Sequence, residues 1–179
     1  PYDRPTWLLE VFPALIGVPI LLWVDRRHHV TTLLFVLVLA HCLVLVYGGA
    51  YTYARVPLGF WMQEWFGFAR NNYDRIGHFM QGFVPALIAR ETLIRSARLK
   101  DVRYIAFLCI CVSLAVSAAY ELVEWWAALI LGQGADEFLG TQGDPWDTQS
   151  DMFMALIGAI TAILLLSKVH DRALSKLHR

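Results

Sequence analysis

Asp74 and His78 stand four residues apart, Glu121 and Glu124 three apart, and Asp147 and Asp151 four apart. On a helix, side chains three or four positions apart share a face. Each pair can therefore aim two donor atoms at one point. Carboxylates with a single imidazole form a donor set suited to Mg²⁺, Mn²⁺, Zn²⁺ or Fe²⁺ and not to Cu(I). Mg²⁺ also favours carboxylates combined with substrate phosphates. Six donors suffice for two ions, and a two-ion site generates a nucleophilic water and clamps a phosphoryl or carbonyl oxygen. Arg70 and Arg75 flank Asp74 and suit an anionic headgroup. A helix start near Asn71 adds N–H groups at the same level. The expectation is that Asp74, His78, Glu121, Glu124, Asp147 and Asp151 bind a divalent metal. Asp74, His78, Glu121 and Glu124 then form the catalytic group, with one glutamate as general base, and Arg70, Asn71 and Arg75 bind substrate.

Plainer roles compete for some of these residues. Asn71 to Asp74 reads as a helix start with Asn71 as cap and Asp74 in the first turn. Asp144-Pro145-Trp146-Asp147 reads as another, with Asp144 as cap and Pro145 at the first position. Acids at either place suit the positive end of the helix dipole. Glu121 and Glu124 lie too deep in an apolar run to be caps, and their ordinary explanation is an ion pair with Arg70, Arg75 or Arg90. His41, alone in an apolar run, reads first as a hydrogen-bonded core residue, with a ligand role as the alternative. His28, His29, His170 and His178 stand in basic, solvated stretches. Glu10, in the outer end of the first segment, could join the cluster, but reads first as a snorkelling surface acid.

The elements that carry these residues are apolar and long. Of 179 residues, 58% are hydrophobic and 17% charged, with mean hydropathy +0.50. Soluble domains are nearer 45–50% and 25%, so lipid is the expected solvent. Five apolar segments, at 7–24, 31–54, 73–94, 104–131 and 147–169, approach the ~20 residues of a bilayer crossing. All are expected to be helical, because unpaired backbone is too costly in lipid. The fold class is thus an all-α transmembrane bundle in a single domain, 1–179. The segment at 73–94 is the most polar of the five. Residues 55–70 mix Phe60, Trp61, Trp65, Phe66 and Phe68 with Gln63, Glu64 and Arg70, which predicts a short interfacial helix. Cys42, Cys109 and Cys111 lie inside apolar runs and read as buried thiols, not a disulfide framework. A net charge of zero gives no pull toward nucleic acid.

Lys and Arg give the orientation. Arg26 and Arg27, then Arg95, Arg98, Lys100 and Arg103, then Lys168, Arg172, Lys176 and Arg179 all fall on one side of a five-helix count. The loop between 133 and 150 has no Lys or Arg but holds Asp136, Glu137, Asp144 and Asp147. The positive-inside rule makes the basic side and the C-terminus cytoplasmic. All three polar pairs then lie in the outer half of the membrane. Pro1 falls outside in this count, and a further helix upstream would bring the natural start inside.

Residues 70–79 (RNNYDRIGHF), 120–126 (YELVEWW) and 143–152 (GDPWDTQSDM), together with 51–57 (YTYARVP), resemble the YjdF family of bacterial inner-membrane proteins. The resemblance spans most of the chain from the second segment onward. It implies a multi-pass protein of the bacterial inner membrane and carries no established function. The order of an Asp-x-x-x-His helix, an acidic helix and an Asp-rich start to the last helix is distantly similar to VanZ-like proteins. Glu124 stands where that pattern expects Gln.

The expected function is a membrane-embedded, metal-dependent hydrolase or transferase acting on a lipid or lipid-linked phosphate at the outer face. The partners are membrane lipid and no nucleic acid, with a homo-oligomer allowed. Two other readings use the same residues: transport or binding of protons, ions or metals, and a non-catalytic partner subunit.

Overall fold

A computed structural model describes residues 1–2, 4–131, 139 and 141–177. Asp136 and Glu137 of the acidic loop, and His178 and Arg179 of the tail, lie outside the described residues. Among the described residues six helices follow in order: α1 (Arg4–His28), α2 (Thr32–Ala50), α3 (Pro57–Phe66), α4 (Tyr73–Arg95), α5 (Val102–Leu131) and α6 (Asp147–Leu177). The described residues contain no strand, so the fold is an all-helical bundle.

Four of these helices, α1, α2, α5 and α6, are long and apolar enough to cross a membrane. α4 is long enough, at about 34 Å for 23 residues, but is too polar to qualify by composition. Its placement explains the charges. α4 sits centrally, packed most extensively on α6, then on α5 and α2. Its middle turns, including Val84, Ala86 and Leu87, are buried in protein, and its charges cluster at its two ends.

The α4–α6 contact depends on small residues. A Cβ on Gly82 would collide with the backbone of Ala155, and one on Gly158 with the backbone carbonyl of Phe79. Ala155, Ala159 and Ala162 complete the seam, each fully buried. Small residues let helix backbones approach closely in lipid, where hydrophobicity alone does not drive helices together. Ser113 on α5 donates to the Gly82 carbonyl at 3.1 Å and ties the third helix to the same crossing.

α3 matches the expected interfacial helix. Pro57 occupies its first turn, Gly67 ends it at φ 68°, and Phe60, Trp61, Trp65 and Phe66 are exposed. The second helix ends at Ala50, earlier than the expected 54, because residues 51–55 form turns. There Thr52 and Tyr53 take φ of 56° and 44°. This drives the Tyr53 ring inward, where added Cβ atoms on Gly48 and Gly77 would lie 2.6 and 2.9 Å from it. Two glycines thus make room for one inward-turned, half-buried phenol ring.

α6 runs from Asp147 to Leu177, two turns beyond the expected end at 169. The extension carries His170, which is fully buried and not solvated as its basic neighbours suggest.

Candidate metal centre

The first turns of α4 and α6 and the last third of α5 meet at one end of the bundle, the acidic end. His78 is the hub. Its Nε2 lies 3.3 Å from Asp74 Oδ1 and 3.9 Å from Asp151 Oδ2, and its Nδ1 lies 3.8 Å from Glu121 Oε1. Gln81 Oε1 is 2.9 Å from Nδ1. Donor atoms of Asp74, His78 and Asp151 all fall within 4.8 Å of one another. His78, Asp151 and Glu121 are buried. Asp151 Oδ1 and Glu121 Oε1 have no hydrogen-bond partner. Buried carboxylate oxygens normally find a donor, so these two are suited to a cation. Three of the expected ligands converge closely, with Glu121 beside them.

Glu124 takes a different position. It lines a cavity of about 420 Å³ with Asp74, His78, His41, Gln81 and Glu10. Phe12, Val116 and Val123 are among its apolar walls. None of the arginines offered as partners for Glu121 and Glu124 pairs with them. Arg70 bonds Asp147 and approaches Asp144 at 3.7 Å, Arg75 reaches Asp144 at 3.3 Å, and Arg90 reaches Asp171 at 2.6 Å.

Asp147 is therefore held by Arg70, apart from the convergent trio. Arg70 and Arg75 tie the start of α4 to the loop before α6. Asn71 does the same. Its Nδ2 donates to Val56 O at 3.0 Å, its Oδ1 accepts from Tyr73 N at 3.1 Å, and its backbone exchanges two hydrogen bonds with the Gln142 side chain. The residue at the cap position of α4 is Asn72, which makes no side-chain cap bond. The expected cap, Asn71, acts one residue earlier. Asp144 meets the expectation of a helix-start residue more closely, since its Oδ1 accepts from Trp146 N at 2.9 Å.

Two readings of single residues are corrected. Glu10 is buried and faces the cavity, because α1 packs its start against the Gly48–Gly49 end of α2. His41 also lines the cavity, and its Nε2 is buried without a hydrogen-bond partner, so it is not a satisfied core histidine.

A second polar network sits at the opposite, basic end, and sequence reasoning missed it. Glu91 accepts from Thr31 Oγ1 at 2.8 Å, from Arg95 at 2.7 Å and from His170 Nε2 at 3.0 Å. Arg90 lies 3.1 Å from His170 Nδ1. Arginine only donates, so Nδ1 accepts and Nε2 carries the proton given to Glu91. Adjacent Arg90 and Glu91 in an apolar context were the available signal.

The fold and both polar networks define a multi-pass helical membrane protein with charged residues held inside its bundle. The chain belongs to the family described as "Predicted membrane protein (DUF2238)", whose model matches residues 1–172. It is 56% identical over 175 residues to the inner membrane protein YjdF of Escherichia coli (strain K12), covering 98% of this chain and 84% of that protein. Neither finding extends to VanZ-like proteins. No solved structure matches the chain.

Proposed function

We propose that this protein is a membrane-embedded, divalent-metal-dependent hydrolase or transferase acting on a lipid or lipid-linked phosphate. The observation that carries the reading is the convergence of Asp74, His78 and Asp151 beside buried, unpartnered oxygens of Asp151 and Glu121. The donor set fits Mg²⁺, Mn²⁺, Zn²⁺ or Fe²⁺. A bound ion would polarise a phosphoryl oxygen and lower the pKa of water.

Asp74, His78 and Asp151 would hold the ion, with Glu121 beside them. Glu124 faces the cavity and serves as general base. Glu124 takes a proton from water as the water oxygen bonds to phosphorus. The phosphorus–alkoxide bond breaks, and that proton returns to the leaving alkoxide. Asp147, Arg70, Arg75 and Asn71 position the helix starts that carry the ligands. The basic end faces the cytoplasm of a bacterial inner membrane by the positive-inside rule, which puts the C-terminus there and the site in the outer half.

Metal analysis of the purified protein, wild type against Glu124→Ala and Asp151→Asn, tests this reading together with phosphate release from a lipid phosphate. Bound divalent metal lost in Asp151→Asn is expected, with Glu124→Ala inactive. A wild-type protein that copurifies with no divalent metal and takes up none when supplied would refute it.

A further inference from the structure

A second cavity, of about 660 Å³, runs between α1, α2 and α4. It shares Pro13, His41, Leu45 and Pro85 with the cavity at the acidic end. The two spaces therefore abut at His41, and together they follow α4 from His78 to Arg95. That distance is 17 residues, about 26 Å of helix rise. We propose that this track holds the hydrocarbon chain of the lipid whose polar head reaches Asp74 and His78, and that it selects for long chains. The inference rests on the metal-site reading for the identity of the head.

Four observations support it. Between His41 and Glu91 the walls are mainly apolar: Gly17, Leu21, Leu34, Val38, Val84 and Ile88. Such walls solvate neither an ion nor a headgroup. The basic end is closed by Glu91 and Arg95, whose hydrogen bonds are made within the protein to Thr31, His170 and the carbonyl of His29. The acidic end keeps a buried, unpartnered His41 Nε2 at the junction, suited to a polar group where chain meets head. Finally, α1 packs along α2 and stands off α4, and a Cβ on Gly17 would meet nothing within 4 Å. The crevice is thus accessible from the bilayer side. At about 26 Å it exceeds half of a ~30 Å hydrocarbon core, so a chain must be long to fill it.

The test uses the full chain purified in detergent with Mn²⁺, and thermal unfolding with octyl, dodecyl and hexadecyl phosphate. Two variants narrow the track from facing walls, Gly17→Leu and Val38→Phe. In wild type, stabilisation should grow with chain length. In either variant that folds, the hexadecyl gain should fall to the octyl value while the octyl value is unchanged. Equal gains for all chains in wild type, or a full hexadecyl gain in the variants, would overturn the proposal. Repeating the series in EDTA separates it from the metal reading. Chain-length dependence that persists with the same gains shows the track is used and the metal is not needed. A metal-dependent gain that ignores chain length leaves the site and removes the track.

Discussion

Asp151→Asn isolates the metal reading, because the side chain keeps its shape and loses its charge. Consider first the metal-free protein. Donor atoms of Asp151 and Asp74 lie within 4.8 Å, and Asp151 lies 3.9 Å from His78. At an effective dielectric of about 20, the lost repulsion is about 3.5 kcal/mol and the lost attraction to a protonated His78 is about 4 kcal/mol. These nearly cancel, and burial beside further carboxylates also disfavours a charge at this position, so the metal-free variant should unfold at or slightly above wild type. The metal-bound comparison is different. At a metal concentration 100 times its Kd, wild type gains about 2.7 kcal/mol. For a chain of this size, 1 kcal/mol moves Tm by about 2–4 °C, so the shift is about 5–10 °C. Groups that merely support metal ligands are worth up to about 100-fold in affinity, so a ligand should be worth at least that. A 100-fold loss brings the variant to its own Kd, where the gain is about 0.4 kcal/mol. Its shift should then be about 1 °C. The seven tryptophans allow the transition to be followed by intrinsic fluorescence, with EDTA as the baseline. A variant that keeps more than half of the wild-type shift, or a wild type with no shift, sinks the assignment of Asp151 as a ligand.

His170→Ala removes hydrogen bonds to Glu91 and Arg90, while each keeps another charged partner. The expected cost is about 2–3 kcal/mol in thermal or denaturant unfolding, against almost none for exposed His28→Ala. An equal effect of the two would contradict the buried network. Gly158→Val forces a side chain into the Phe79 carbonyl and should abolish recovery of folded protein on size-exclusion chromatography. Gly17→Leu, which meets open space, should be recovered at the wild-type level. Exposed Cys111 should react with a membrane-soluble maleimide while buried Cys109 does not, and mass spectrometry of the labelled peptide decides it.

The bundle was legible because lipid imposes a simple requirement. Long apolar runs must be helical, and most of these helices begin and end near the limits of those runs. α4 was the hardest to read for the same reason: composition alone cannot distinguish a charged helix in water from one enclosed by other helices. The convergence of Asp74, His78 and Asp151 was readable from helical spacing plus the orientation count, since both place three pairs at one level. Spacing could not foresee that Asp147 turns to Arg70, because the loop that sets that contact has no periodicity. His170 was hidden by its basic neighbours, Lys168 and Arg172. Only the extra turns of α6 bring it against Glu91. Glu10 and His41 stood alone in sequence and acquire company only when α2 packs on α4 and α1 packs along α2.

The backbone contacts at Gly82 and Gly158 bear on how the site can vary. They set the gap between the helix carrying Asp74 and His78 and the helix carrying Asp151 through peptide groups, not through rotatable side chains. Two of the three arms of the site therefore form a jaw of fixed width. The third arm, on α5, reaches in with glutamates, whose extra methylene gives them slack. If the site takes a metal, change in its metal preference would have to work through that flexible arm, since widening the jaw means separating two helices along their most closely packed seam.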